Sequence, residues 1–177
     1  MQALVRKTQA FIAALLIAAG LGLSALPGPA QATSITDYLE NKLVDWLFRG
    51  QSFTPPATSY ISLHTASCSD SSTGTEVTGG SYARVAVTAS LANWAGTQSA
   101  GSTTASSGTG GTTSNNGAIT FPAPTANWGS ITHFGIFDAS SGGNMLFCAA
   151  LTTAKTVNNG DAAPSFAAGA LTVQIDN

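Results

Sequence analysis

Few residues in this chain could carry chemistry. It contains two histidines, His64 and His133, and two cysteines, Cys68 and Cys148. Nucleophilic hydrolysis would need a serine or cysteine with a base in reach, but the chain offers no G-x-S-x-G elbow. A structural metal site would need about four ligands at regular spacing, and there is no C-x-x-C pair to begin one.

The sequence also has few of the residues and motifs that carboxylate catalysis or phosphate binding would need. Beyond residue 32 the glutamates are Glu40 and Glu76, so a paired-carboxylate glycosidase would depend on scattered aspartates. Neither G-x-x-x-x-G-K-[ST] nor a strand-linked G-x-G-x-x-G is present to bind a nucleotide. We therefore predict a protein that is not an enzyme, with no catalytic residue, no cofactor and no metal ion.

His133 lies in the apolar run "SITHFGIFDA". Strict strand alternation places on one face Ile131, His133, Gly135 and Phe137, and on the other Thr132, Phe134, Ile136 and Asp138. Because both faces carry large apolar groups, the run predicts a strand covered on both sides, in which His133 is a hydrogen-bonded packing residue. The turn-forming "DASSGGN" follows, so residues 128–147 predict a β-hairpin.

The first 32 residues have the three parts of a secretory signal. Basic Arg6 and Lys7 precede an apolar run of 16 residues, 11–26, and a small-x-small end closes at Ala32. The run is shorter than the roughly 20 residues that span a bilayer. We predict a signal peptide over residues 1–32, cleaved between Ala32 and Thr33; the alternative is a retained hydrophobic anchor.

The two cysteines are consistent with export. Cys68 and Cys148 both follow the predicted cleavage site, and an even number of cysteines in an oxidising compartment predicts a disulfide. Closing a loop of this length would stabilise the fold by roughly 4 to 5 kcal/mol in the chain-entropy model.

Composition indicates one folded domain over residues 33–177. Hydrophobic residues make up 44% of the 177 residues, whereas charged residues make up only 8%, against about a quarter in ordinary globular proteins. Such a surface suits extracellular β-proteins and subunits that are covered by their neighbours. The chain has no cluster of Lys and Arg, so we predict no nucleic-acid partner.

The segment "SITDYLENKLVDWLFRG" predicts an amphipathic helix over residues 34–49. Ser34 or Thr36 can cap its start, and Arg49 followed by Gly50 can end it. The apolar stripe packs either on its own domain or on neighbouring subunits, and the sequence favours neither. The stripe consists of Ile35, Tyr38, Leu39, Leu43, Trp46 and Leu47.

The rest of the chain reads as strands. Six short apolar runs follow Pro55 and Pro56, separated by Gly, Ser, Asn and Pro: "TSYISLHT", "YARVAVTAS", "GAITFPAP", "SITHFGIFDA", "NMLFCAALTT" and "ALTVQID". They predict a mainly β fold, a β-sandwich or jelly-roll-like domain with one N-terminal amphipathic helix. In residues 95–117, 17 of 23 are Gly, Ser or Thr and none is charged, which predicts a flexible loop.

The motifs T-P-P-A-T, G-G-x-Y-A-R and W-G-x-I-T-H-F-G-I-F-D occur together, and from Ser34 to Asp176 the chain resembles a family of bacteriophage tail-fibre and minor tail proteins. The resemblance implies a non-enzymatic structural subunit that assembles with itself, as a trimer or a filament, and with other virion or cell-surface components. With the signal-like segment, the expected location is the virion or the extracellular surface after export. The alternative function is a secreted module that binds a surface glycan or a receptor.

Overall fold

The computed structural model describes residues 30–32 and 34–175, and residues 1–29 of the predicted signal peptide lie outside that part. The prediction of a mainly β fold with one helix is confirmed, and the sheets are consistent with a β-sandwich. No helix in the described part is long and apolar enough to cross a bilayer. The elements are β1 (Ala30–Ala32), β2 (Ser34–Ile35), α1 (Asp37–Phe48), β3 (Thr58–Ala66), β4 (Thr75–Glu76), β5 (Val85–Thr88), β6 (Thr112–Ser114), β7 (Ile119–Thr120), β8 (Gly129–Phe137), β9 (Met145–Val157), β10 (Ser165–Phe166) and β11 (Leu171–Gln174).

The largest sheet is built on the three long strands β3, β8 and β9. Its order is β2-β9-β8-β3-β4, and β5 also pairs with β3. Two smaller sheets, β1-β11-β6 and β7-β10, complete the domain. The main core joins all three sheets, with fully buried Ile61 and Phe134 from the large sheet against Phe166 and Leu171 from the small ones. Each of the six predicted runs contains a strand, and β8 and β9 form the predicted hairpin.

Strand β8 corrects the prediction of strict alternation. Its pairing with β9 shifts register between Ile131 and His133, and again between Ile136 and Phe137. Ile131 therefore lies in the main core with Phe134 and Ile136, on the face that the alternation assigned to its neighbours. Between the pairs Ile131–Lys155 and His133–Ala150, β9 has three residues more than β8, and such an irregularity in a ladder changes which face the side chains beyond it take.

Helix α1 is shorter than the predicted span of residues 34–49. The first three residues of the predicted span, 34–36, are not helical, because β2 pairs with β9 at the edge of the large sheet. Thr36 occupies the N-cap position, but its hydroxyl donates to carbonyls of β9 and makes no capping hydrogen bond. The helix ends at Phe48 with Arg49 as its C-cap, and Gly50 has a φ of 68°, the left-handed conformation that terminates helices.

The predicted flexible loop over residues 95–117 contains regular structure. Strand β6 pairs with β11, and Gln98 donates from its amide to Ser102 and Thr104 within the loop. Buried Asn115 donates to the carbonyls of Gly117 and Ala167. These side-chain amides donate hydrogen bonds to hydroxyl and backbone carbonyl groups. The segment is therefore not a structureless coil from end to end.

Strand β1 contains one side of the predicted cleavage site. Ala32 pairs with Val173 in a parallel ladder, and Ala30 is buried in the main core. Thr33 lies outside the described residues. Cleavage after Ala32 would remove β1 from its sheet, and the cleavage site stays a prediction.

Candidate functional site

A buried polar cluster on β3 has the residue types of a hydrolase. Ser62 and His64 lie two residues apart on one face of the strand, and the hydroxyl oxygen is 2.8 Å from Nε2 of the imidazole. In the sheet, His64 lies opposite Glu76 of β4 and opposite His133 of β8. Serine, histidine and glutamate side by side are the set that nucleophilic catalysis uses.

The carboxylate of this set is already fully engaged by other groups. Arg84 donates from Nε to one oxygen of Glu76 at 2.8 Å and from Nη2 to the other at 2.7 Å. Tyr82 donates its hydroxyl to the first oxygen at 2.9 Å. Burial alone would raise the pKa of Glu76, but the hydrogen bonds from Arg84 and Tyr82 outweigh burial and hold this pKa below its ordinary value. Glu76 is therefore the ion-pair partner of Arg84 and does not orient the imidazole of His64.

The histidine and serine are closed to substrate. Both side chains are 0% exposed. Burial lowers the pKa of His64, so the imidazole stays neutral at pH 7. Its Nδ1 has no hydrogen-bond partner among the described residues. The cluster can therefore hold three strands together, but a substrate cannot reach its nucleophile.

Arg84 also fixes the β8–β9 turn. Its Nη1 donates to the carbonyls of Ala139 and Gly142, each at 2.8 Å, and its guanidinium carbon lies 3.5 Å from the centre of the Phe137 ring. Only 6% of the side chain is exposed, so these contacts are made away from bulk water. Arg84, immediately before β5, thus links this part of the chain to β4 and to the hairpin turn.

The second histidine and the two cysteines singled out in the sequence make structural contacts. His133 is half-buried, with its Nδ1 2.8 Å from the Thr132 hydroxyl, and burial lowers its pKa. Cys68 and Cys148 form the predicted disulfide, with their Cα atoms 6.0 Å apart. In residues 30–32 and 34–175 no three His, Cys, Asp or Glu side chains come together as metal ligands.

The cluster was missed because Tyr82 and Arg84 lie in a segment that reads as an ordinary strand. A signal was present: Arg84 is one of four Lys or Arg beyond residue 32 and stands in an apolar run. A charged side chain in a buried strand requires a partner, and Glu76 was the nearest acid along the sequence.

Exposed apolar side chains form two separate surfaces. The first, called here the α1 face, consists of Val44, Trp46, Leu47 and Phe48, which are between 48% and 81% exposed. The second is a groove of about 540 Å³ with mostly apolar walls, called here the Leu91 groove. Its walls include Leu91, Trp94, Ala95, Thr113 and Ile175, of which Leu91 and Ile175 are 54% and 64% exposed.

A smaller polar cleft opens where α1 begins. It has a volume of about 270 Å³, and its lining includes Asp37, Tyr38, Asp70 and Asn144. The backbone N–H of Asp37 donates to the carbonyl of Asp70 at 3.1 Å, which holds the loop after β3 against the helix. Carboxylates, an amide and an aromatic ring can together hydrogen-bond and stack on a hydroxyl-rich ligand.

The described residues thus form a mainly β domain with a closed polar cluster and exposed apolar surfaces. Comparison with known families places it more narrowly. Residues 34–174 match the family described as podophage GP4 fiber I protein gp80, and the chain belongs to that family. A search of curated proteins finds no match. The resemblance to phage tail fibres is thereby confirmed, and membership implies a virion-associated structural protein.

Proposed function

We propose that this protein is a non-enzymatic fibre subunit that assembles with copies of itself and with other virion components. The observation that carries the proposal is helix α1. Of its 12 residues only Leu39 is buried, while the α1 face is open to solvent. Isolated helices of this length are marginal in water, and covering exposed apolar area gains roughly 25 cal/mol per Å². A neighbouring subunit would provide that cover.

The charge distribution supports assembly. Charged residues make up 8% of the chain, and the acid nearest the α1 face, Asp45, is 3.3 Å from Arg49 on the same helix. Packing another subunit on this helix therefore leaves no charge without a partner at that position. Charge repulsion between copies is correspondingly small.

Light scattering after size exclusion tests self-assembly. The full chain is expected to elute at an integral multiple of the subunit mass, and the multiple is expected to persist on dilution to micromolar concentration. A strict monomer at high concentration would contradict the proposal. Finding the chain by mass spectrometry in purified phage particles tests the virion role separately.

Export is the second part of the proposal. The signal-like residues 1–32 and the disulfide support delivery to an oxidising compartment, so we infer a location on the virion or the extracellular surface. Intact mass of the mature protein tests this inference: a chain beginning at Thr33 is expected. A mass that includes Met1 would favour a retained anchor instead.

The polar cleft at the start of α1 supports a second candidate function, binding of a surface glycan or receptor. Its lining includes Asp70, Asn144 and Tyr38, which are residue types that sugar-binding sites use. Glycan-array binding that is lost in Asp70→Ala and retained in Ser140→Ala, a variant in the exposed hairpin turn, would support this function. Binding unaffected by Asp70→Ala would remove it.

A further inference from the structure

Two unlike apolar surfaces are exposed on one subunit. The α1 face presents Val44, Leu47 and Phe48 at i, i+3 and i+4, so these three side chains project from one side of the last helical turns. The Leu91 groove is formed by the segment after β5, by β6 and by Ile175 immediately after β11, and it contains no residue of α1. Each surface therefore lacks a partner within the described subunit.

The Leu91 groove is large enough to receive part of a helix. A helix that lays anchors at i, i+3 and i+4 into a groove is a recurring mode of peptide recognition. The groove volume of about 540 Å³ falls within the range, roughly 300–1,000 Å³, of pockets that enclose compact ligands. It is large enough for the few side chains that one helical turn presents.

The chemistry of the two surfaces also matches. The groove is lined by apolar, glycine, serine and threonine residues and by no charged side chain. An uncharged groove suits an apolar helix face, because no ion is stripped of water when the two meet. On the helix, Asp45 and Arg49 are paired with each other and can stay at the rim.

Symmetry connects the two surfaces. Trimers, larger rings and filaments are built from heterologous contacts, in which one patch of a subunit meets a different patch of the next. Resting on the proposed self-assembly, we infer that the α1 face of one copy docks in the Leu91 groove of the next copy. A single type of contact then covers both exposed apolar surfaces and repeats from subunit to subunit.

The test uses two charge substitutions at exposed positions, where the fold tolerates them. Leu47→Glu on the helix and Leu91→Glu in the groove each place an unpaired carboxylate in the contact. Each variant alone is expected to raise the dissociation constant of the full chain about tenfold or more by sedimentation velocity. Ser140→Glu, in the exposed hairpin turn, is the matched control and is expected to assemble as the wild type does.

Mixing the two variants gives the decisive result. An equimolar mixture retains one intact contact, between the unaltered helix of the Leu91→Glu chain and the unaltered groove of the Leu47→Glu chain. It is therefore expected to form heterodimers and nothing larger. If Leu91→Glu assembles normally, or if the mixture stays monomeric, the inference is overturned while self-assembly stands. A monomeric wild type would overturn self-assembly itself.

Discussion

Replacing Arg84 by methionine is expected to destabilise the fold by about 4 kcal/mol. Removing one partner of a buried ion pair costs about 3–5 kcal/mol, and the low end applies because 25% of the Glu76 side chain is exposed. The carbonyls of Ala139 and Gly142 lose a charged donor as well, which adds about 1 kcal/mol. Methionine keeps most of the aliphatic volume against Phe137, so the loss measures the polar contacts.

Urea unfolding with the disulfide intact measures this loss. Trp128, one of three tryptophans, packs edge-on against Tyr82 with ring centroids 5.4 Å apart, so its contribution to the fluorescence responds to unfolding of the cluster. Arg49→Met is the control, because its ion pair with Asp45 is exposed and is expected to contribute less than about 1 kcal/mol. A loss in Arg84→Met no larger than that of the control would refute the buried-pair reasoning.

The pH dependence gives a second check on the same pair. Because the pKa of Glu76 is lowered in the folded protein, the unfolded chain takes up the proton first as pH falls. The pair therefore contributes fully above the ordinary glutamate pKa of about 4.3, and its contribution is lost as pH falls through the folded pKa. The stability difference between wild type and Arg84→Met is expected to shrink from pH 7 to pH 3. A difference independent of pH would contradict this origin.

Three further predictions concern the interior. Because burial lowers the pKa of His64, wild-type stability should fall as pH drops below about 6.5, and His64→Gln should reduce the fall; an unchanged pH profile of the urea midpoint would contradict this. Gly135→Ala places a Cβ 2.8 Å from the Ser62 hydroxyl and should lower the free energy of unfolding in urea by about 1–3 kcal/mol. Gly117→Ala, with open space around it, should lower it by less than about 0.5 kcal/mol. Equal losses in the two variants would refute the clash. Reducing the Cys68–Cys148 bond, which closes a separation of 80 residues, should lower the free energy of unfolding by about 4 kcal/mol, and identical urea curves with and without reductant would show that the bond adds nothing.

Strand positions were predictable because each long strand combines β-branched and aromatic residues with clear turn signals. The β8–β9 hairpin is an example: Asp138 accepts from the backbone and the amide of Asn144, as the turn chemistry required. The short strands β1, β4, β6 and β10 could not be foreseen. Each has only two or three residues, so long-range pairing rather than local propensity determines it.

The polar cluster was less predictable than the fold. Glu76 and Arg84 are eight positions apart, but their contact depends on both β4 and β5 pairing with β3. The register shift beside Ala66 sets which residue of β4 faces His64, and no local pattern encodes that shift. The sequence alone indicates that a buried arginine needs an acidic partner. The register of the strands determines which acid pairs with it.

The proposed assembly surface is separate from the residues that stabilise the interior. Arg84 and its contacts join three strands and a turn in the interior, where most of their atoms are away from water. Helix α1 is anchored by Thr36 and Leu39 at its start, whereas the apolar side chains Val44, Leu47 and Phe48 of its second half are exposed. Substitutions on the α1 face should therefore change association without changing the urea midpoint of the dissociated subunit, and those in the cluster should do the reverse. A fold arranged in this way can vary its contacts with neighbours while its interior stays intact.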